Sequence, residues 1–290
     1  MESVAQFIRR GLPWVAVPLL IASSLRLILE PGYWSYVYAG WIALILIFVA
    51  VHWLLLRRPS RVRIRLCLLV NFISITAGYQ MIGFALRHPG GWRADALVFR
   101  VDDWIFAGDP QRLLQVIQAP WLSTVTMVGY LGFAGLLFYL FLSECVAAGE
   151  PAARLQLGLM RLYGVGFSGY LLLPACGPTF FHPSALPAIR HSALSARLQP
   201  WVLGNCSLVD ACPSIHAAVC AFTLTWTFSQ HRRLFWWLIL PGAALLLGTV
   251  YLQYHYFTDI PFGLLLGFAS AYSCLHAHSS SIPRSAGNLR

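Results

Sequence analysis

The chain has 290 residues, of which 58% are hydrophobic and only 10% are charged, and its formal net charge is +10. Soluble domains average about 25% charged residues, so this composition excludes an ordinary soluble domain and indicates a polytopic membrane protein. All of the basic residues are arginine. We interpret the positive excess as a determinant of membrane topology and expect no nucleic-acid partner.

Apolar runs long enough to cross a bilayer recur along the whole chain. They predict an all-α protein with about eight transmembrane helices, near residues 11–29, 36–56, 66–86, 121–143, 157–176, 213–229, 234–253 and 257–275. The first run also has an alternative interpretation as a secretory signal, because Arg9 and Arg10 precede a short apolar stretch that ends in small residues. Glu2 and the apolar residues beyond Arg26 favour an uncleaved span.

The arginines give the predicted orientation. If eight spans alternate, thirteen arginines fall on one side of the membrane and seven on the other. The positive-inside rule then places both termini in the cytoplasm, and a bacterial inner membrane fits this distribution. The segments before residues 213 and 257 would lie on the external, periplasmic face.

Residues 91–120 combine charged and apolar residues between the third and fourth spans. The spacing of Leu97, Val101, Trp104 and Ile105 predicts an amphipathic helix on the outer membrane surface. Asp102 and Asp103 resemble a carboxylate pair, but a solvated helix face is the favoured interpretation. Residues 277–290 predict a disordered cytoplasmic tail.

The seven cysteines are scattered and form no CxxC motif, so the sequence indicates neither a zinc site nor a redox motif. Cys206 and Cys212 share a predicted external loop, and Cys176 lies at the other end of that region. One disulfide among them is possible in an oxidising compartment, and buried free cysteine is the alternative.

Three segments place polar residues against the apolar pattern, which marks functional candidates in a membrane protein. They are GYLLLPACGPTFFHP at 169–183, LVDACPSIHAAVCAF at 208–222 and GTVYLQYHYFTDIPFG at 248–263. With eight alternating spans, all three segments meet at the same membrane face. Convergence of this kind predicts a shared site.

The third segment carries His255 and Asp259 four residues apart, which on a helix would stack them on one face. An aspartate can hold a histidine in one tautomer and leave the other ring nitrogen free as a nucleophile, although a structural ion pair has the same spacing. In the second segment, Pro213 starts a helix, Ser214 lies at its N-terminus and His216 follows one turn in. A capped helix with a structural histidine is the alternative there.

These motifs resemble the type 2 phosphatidic acid phosphatase and vanadium haloperoxidase superfamily. Its second motif, PSGH, is matched by Pro213, Ser214 and His216, and the end of its third motif by His255 and Asp259. The resemblance implies a six-helix phosphatase-like core, His255 as nucleophile, Asp259 as its orienting partner and His216 as acid for the leaving group. It also implies Ser214 as a phosphate ligand and no metal or cofactor. The predicted organisation is then 1–90 for N-terminal transmembrane helices, 91–120 for the external interfacial segment, 121–276 for the catalytic core and 277–290 for the tail.

Departures from the motifs favour one branch of that superfamily. Gly248 and Thr249 replace the Ser and Arg that open the third motif, and no lysine is present to start the first. The segment YLLLPACGP instead resembles the YxxxPxxPP motif of inositol phosphorylceramide synthase-like proteins, through Tyr170, Pro174 and Pro178, and Tyr256 after His255 agrees with the HYxxD form of that branch. Since the motif arginines are missing, Arg190 and Tyr170 are candidate phosphate contacts, with Arg197, Arg87 and Arg93 as further sources of charge.

The sequence therefore predicts a membrane lipid phosphotransferase that passes a phosphoryl or phospho-headgroup from a lipid donor to a hydroxyl acceptor. One alternative is a lipid phosphate phosphatase with water as acceptor. The other is a lipid transporter or scaffold without catalysis, which polar residues near the edge of eight spans would also suit.

Overall fold

In the computed structural model the described residues are 2–30, 33–87, 93–108, 117, 119–147, 149–181 and 192–277. They are almost entirely helical, and within them the one β-type contact is an isolated parallel bridge between Ala175 and Asp210. The helices are α1 Glu2–Leu29, α2 Tyr33–Leu56, α3 Arg61–Leu86, α4 Asp95–Phe106, α5 Pro120–Ala147, α6 Glu150–Leu172, α7 Pro178–Phe181, α8 Ala193–Asn205, α9 Ile215–Gln230, α10 Arg232–Tyr251 and α11 Asp259–Leu275.

Four helices among the described residues are long and apolar enough to cross a membrane. They are Glu2–Leu29, Ser35–Leu56, Arg61–Leu86 and Arg232–Tyr251, and Asp259–Leu275 is a shorter apolar helix. Exposed leucine, tryptophan and phenylalanine side chains cover the outside of these helices, for example Trp237 and Leu240 on α10. An exterior of this kind is what a lipid solvent favours, and the protein is a membrane protein; the count of eight spans remains a prediction.

Helix α6 forms the centre of the fold. It packs against α1 along most of its length, and it also contacts α3, α9 and α11. Its buried face includes Leu157, Leu162 and Phe167, while the polar Gln156 accepts a hydrogen bond from Asn71 of α3 at 3.1 Å. Other close pairs are α9 with α11, α10 with α5, α1 with α2 and α9 with α10. The two helices that follow the PSIH and HYFTD segments are therefore direct neighbours.

Gly263 permits the close approach of α9 and α11. A Cβ atom at this position would lie 2.2 Å from the carbonyl oxygen of Ser214. Gly267, one turn further on, would place a Cβ 2.1 Å from the carbonyl oxygen of Ala218. Because both obstacles are backbone atoms, small residues at this interface fix the helix separation.

Replacing Gly263 by alanine is expected to push α11 away from α9 and to lower the free energy of unfolding by about 2–4 kcal/mol. Gly132→Ala on α5 is the matched control, because a Cβ there meets nothing within 4 Å. The control should be neutral or slightly stabilising, since alanine is the better helix former. Thermal unfolding in detergent measures both, and equal melting temperatures for the two variants would contradict the close contact.

The predicted external segment contains a helix whose orientation differs from the expectation. Helix α4 covers Asp95–Phe106. Its apolar residues Leu97, Trp104 and Ile105 are exposed, as an interfacial helix requires, but Asp102 is buried with 1% exposure. The interpretation of Asp102 as part of a solvated face was wrong, while Asp103 beside it is exposed. Residues 109–116 and 118 of this segment, and 278–290 of the predicted tail, lie outside the described residues.

Candidate active site

The two motif histidines lie in direct contact. His216 is in the first turn of α9, and His255 lies in the turn between α10 and α11. The Nδ1 atom of His216 is 2.9 Å from the Nε2 atom of His255. His255 is 2% exposed, and the ring of Tyr130 lies against His216 with the ring centroids 4.7 Å apart. The fold thus joins histidines that are 39 residues apart in sequence.

The hydrogen bonds of His255 fix its tautomer. Its Nδ1 atom lies 2.9 Å from the carbonyl oxygen of Ala211. A carbonyl oxygen can only accept, so Nδ1 carries a proton. In the neutral form of His255, Nε2 then keeps its lone pair and accepts a hydrogen bond from the Nδ1–H of His216. A neutral imidazole with an unprotonated Nε2 is the form that can attack an electrophile.

Asp259 lies beside His255 without forming the expected helical pair. Residues 252–258 form turns, with Gln253 at a φ of 62°, and Asp259 is the first residue of α11. The Asp259 Oδ2 atom is 3.7 Å from Nδ1 of His255, so the carbonyl of Ala211 is the nearer acceptor. The buried carboxylate is placed to stabilise positive charge on the imidazole, and the prediction that both residues share one helix face was wrong.

Asp259 also organises the loop around the histidine. Its Oδ2 atom accepts a hydrogen bond from the backbone N–H of Tyr256 at 3.1 Å, and its backbone carbonyl accepts one from the N–H of Ser214 at 3.3 Å. The Ser214 hydroxyl caps α9 by accepting a bond from the N–H of Ala217 at 3.2 Å. Ser214 is therefore a helix cap in this structure, as the alternative interpretation stated. Its predicted contact with phosphate remains a prediction.

Asp95 is a buried site residue that the sequence reasoning missed. Its Oδ1 atom accepts hydrogen bonds from the backbone N–H groups of Cys176 and Gly177, at 2.9 Å and 3.2 Å, and from the hydroxyl of Tyr256 at 3.0 Å. One carboxylate on α4 thereby joins the PACGP segment to the HYFTD segment. Burial and the neighbouring Asp95 raise the pKa of Tyr256, so the phenol stays protonated as a donor.

Asp102 performs a related function about two turns further along α4. Its carboxylate oxygens accept hydrogen bonds from the backbone N–H groups of Phe257 and Thr258, each at 2.8 Å, and from the Thr258 hydroxyl. These N–H groups lie just ahead of α11. A carboxylate here satisfies donors at the helix start and interacts favourably with its dipole, which explains why Asp102 is buried.

A cavity of about 280 Å³ adjoins His216. It lies between α3, α5, α6 and α9, and its polar lining comes mainly from tyrosines and one carboxylate. Tyr79 donates a hydrogen bond to Asp210 at 2.6 Å and accepts one from the N–H of Ser207 at 3.0 Å. The predicted contact residue Tyr170 also lines this cavity and is 1% exposed.

The arginines considered for phosphate binding have other positions. Arg87 donates to the backbone carbonyls of Cys206 and Ser207, and Arg93 donates to that of Leu208 at 2.6 Å. Both therefore support the backbone that leads into Asp210. Arg197 is exposed on α8, and Arg190 lies outside the described residues. We refer to the cavity that adjoins His216 as the histidine cavity. Among the described residues that line it there is no arginine.

The prolines of the motifs have structural contacts. Pro213 packs against Gly169 of α6, where a Cβ would lie only 2.4 Å from the Pro213 Cδ. The carbonyl of Pro174 accepts a hydrogen bond from the N–H of Ala94 at 2.8 Å, and Pro178 begins α7. Gly177 between them has a φ of 84°, a conformation that favours glycine. These contacts hold the three polar segments together.

The three cysteines that the sequence offered for a disulfide do not form one. Cys176, Cys206 and Cys212 are all free thiols. Cys176 donates a weak hydrogen bond to Asp95 at 3.4 Å, and burial with the nearby Asp210 raises the pKa of Cys206 to about 12. The alternative interpretation, buried free cysteine, describes Cys212, whereas Cys176 and Cys206 are half-buried free thiols beside carboxylates.

The architecture defines an all-α membrane protein in which a buried and a half-buried histidine are in contact and buried carboxylates hold the loop around them. A family model of the PAP2 superfamily matches residues 96–273, which is more than half of the chain. The chain belongs to the PAP2 superfamily, whose members are typically phosphatases or phosphotransferases acting on lipid phosphoesters. No curated protein and no solved structure matches the chain.

Proposed function

We propose that the protein is a membrane lipid phosphotransferase of the inositol phosphorylceramide synthase-like branch, with His255 as its nucleophile. The observation that carries this proposal is the 2.9 Å contact between His216 and Nε2 of His255. It puts an acid and a nucleophile close enough to act on one phosphoester. The similarity of YLLLPACGP and HYFTD to that branch supports the transferase version.

The proposed reaction has two steps. In the first, Nε2 of His255 forms a bond to phosphorus while the bond to the leaving oxygen breaks, and His216, which enters this step as the imidazolium, gives that oxygen a proton and becomes neutral. In the second, neutral His216 removes a proton from the acceptor hydroxyl, whose oxygen bonds to phosphorus and releases His255. The scheme needs no metal or cofactor. The buried carboxylate of Asp259 lowers the energy of the charged imidazole in both steps.

Phosphate oxygens also need stabilisation in the transition state, and the motif arginines are absent. We propose that the N-terminal end of α9, which begins at Ile215, supplies partial positive charge, with Ser214 and Tyr170 as hydrogen-bond donors. Arg190 remains a candidate cation. The proposed setting is the external face of a bacterial inner membrane, with a phospholipid donor in that leaflet and cytoplasmic termini.

The low exposure of His255 favours an alcohol acceptor over water, because a site that excludes bulk water protects a phosphohistidine from hydrolysis. We expect purified protein in phosphatidylcholine vesicles to convert phosphatidic acid and an added lipid alcohol into a new phospholipid. Thin-layer chromatography of radiolabelled phosphate detects that product, and a phosphate assay measures hydrolysis. Release of inorganic phosphate without any transfer product would contradict the transferase proposal and favour the phosphatase alternative.

A further inference from the structure

A second cavity lies beside the histidine cavity. It has a volume of about 290 Å³ and lies between α1, α2, α3 and α6. We refer to it as the apolar chamber; its walls include Leu19, Trp41, Phe48, Gly78, Met160 and Phe167. Ile75, Tyr163 and Phe167 line both cavities. The two spaces are therefore neighbours whose walls share these three side chains.

The apolar chamber reaches the outer surface of the helices. Leu44 and Ile47 of α2 and Met81 of α3 line it and are also exposed, by 43%, 57% and 38%. Both helices contain candidate membrane spans. A surface of exposed apolar side chains on such spans faces hydrocarbon, so the chamber opens sideways toward lipid.

The helices that form most of the chamber precede the region that matches the family. The match begins at residue 96, whereas the last of these three helices, α3, ends at Leu86. From the matched region, α6 alone contributes to the described walls of the chamber, for example through Met160 and Phe167. These N-terminal helices thus add a compartment to a site whose chemistry is in the matched part.

We infer that the apolar chamber holds one alkyl chain of the phospholipid donor while its phosphate reacts at the histidine pair. The inference rests on the proposed function and deepens it by assigning chain selection to α1–α3. An alkyl chain is about as well solvated by the bilayer as by the chamber, so the chamber positions the donor and adds little binding energy. The chamber therefore affects the reaction rate by positioning the phosphorus atom that reacts.

Two substitutions should close the chamber by different means. Ala77→Phe adds a ring at an exposed position on the lining. Gly78→Leu fills the interior, since its Cβ would already lie 3.3 Å from Phe167 and 3.5 Å from Trp41. Gly40→Leu on α2 is the matched control, because a Cβ there meets nothing within 4 Å. The exposed position of Ala77 keeps the experiment informative if Gly78→Leu folds poorly.

The first measurement uses phosphatidic acid with a diazirine in one acyl chain, incorporated into phosphatidylcholine vesicles with the full-length protein. After illumination, mass spectrometry should find the label in α2, α3 and α6 around the chamber. The label should fall at least severalfold in both closing variants and stay unchanged in Gly40→Leu. This readout needs no turnover, so it tests the chamber even if the proposed reaction is wrong.

The second measurement compares turnover of dioleoyl and dibutyryl phosphatidic acid. We expect the ratio of long-chain to short-chain turnover to fall about tenfold in Ala77→Phe and Gly78→Leu and to stay constant in Gly40→Leu. Label concentrated on other helices, or an unchanged ratio in both closing variants, overturns the inference. A wild-type protein that labels in the chamber but turns over neither lipid would overturn the proposed function and leave the chamber as a lipid site.

Discussion

His255→Ala is expected to lower phosphoester turnover by about a thousandfold or more, because in the proposed mechanism this side chain supplies the electron pair that attacks phosphorus. His276→Ala is the matched control, since His276 is exposed at the end of α11. The measurement is phosphate release and transfer from radiolabelled phosphatidic acid. Size-exclusion chromatography should show that both variants remain folded.

His216→Ala separates the two histidines by role. An acid contributes about 100-fold to 10,000-fold when the leaving group is a poor one, and far less when the leaving group needs no proton. Turnover of phosphatidic acid should therefore fall strongly, while p-nitrophenyl phosphate should be affected much less. His255→Ala should suppress both substrates alike. If His255→Ala kept the phosphoester turnover of the wild type and instead lost lipid transport, His255 would serve transport and the proposed nucleophile role would be wrong.

The second large effect is expected at Asp102. Asp102→Ala removes the acceptor of the Phe257 and Thr258 N–H groups, which each donate at 2.8 Å. These hydrogen bonds are partly buried, so leaving each donor without its partner costs up to about 1–3 kcal/mol, and the variant should unfold at a lower temperature. The neighbouring Asp103 is exposed, and Asp103→Ala should change stability by less than about 0.5 kcal/mol.

The same substitution tests whether Asp102 positions the catalytic loop. Asp102→Asn keeps one carbonyl acceptor, so it should recover part of the stability. Because the acceptor holds the two residues that separate His255 and Tyr256 from Asp259, we expect kcat to fall more than KM rises. A variant that loses stability with unchanged kcat at a permissive temperature would limit Asp102 to a structural role. Equal effects of Asp102→Ala and Asp103→Ala would contradict the contact itself.

The sequence located the polar segments of the candidate site because their residues form local patterns that indicate a function. A proline and a serine ahead of an apolar run predict a helix start, and α9 does begin at Ile215 with Ser214 as its N-cap. The resemblance paired PSIH with HYFTD, and the structure brings His216 and His255 into contact. The assumption of a continuous helix through Asp259 failed, because spacing alone does not show that residues 252–258 turn.

No local sequence pattern indicated the roles of the buried carboxylates Asp95 and Asp102. The partners of Asp95 and Asp102 are mainly backbone N–H groups, 81 and 155 residues further along the chain. Every residue except proline carries such a group, so no side-chain pattern announces the contact. A doublet such as Asp102–Asp103 therefore resembles a solvated face, although one member is buried and the other exposed. The apolar chamber is hidden for a similar reason, since it arises from the packing of α1–α3 on α6.

The contact between the two histidines has a consequence for selectivity before any lipid binds. The lone pair of His255 is already shared with a proton of His216 across 2.9 Å. In the proposed mechanism, a small reactive molecule that reaches the site meets a nitrogen that is already hydrogen-bonded, whereas a phosphate oxygen that accepts the His216 proton frees that nitrogen to attack. The proposed nucleophile is therefore unreactive at rest, and the proposed substrate activates it.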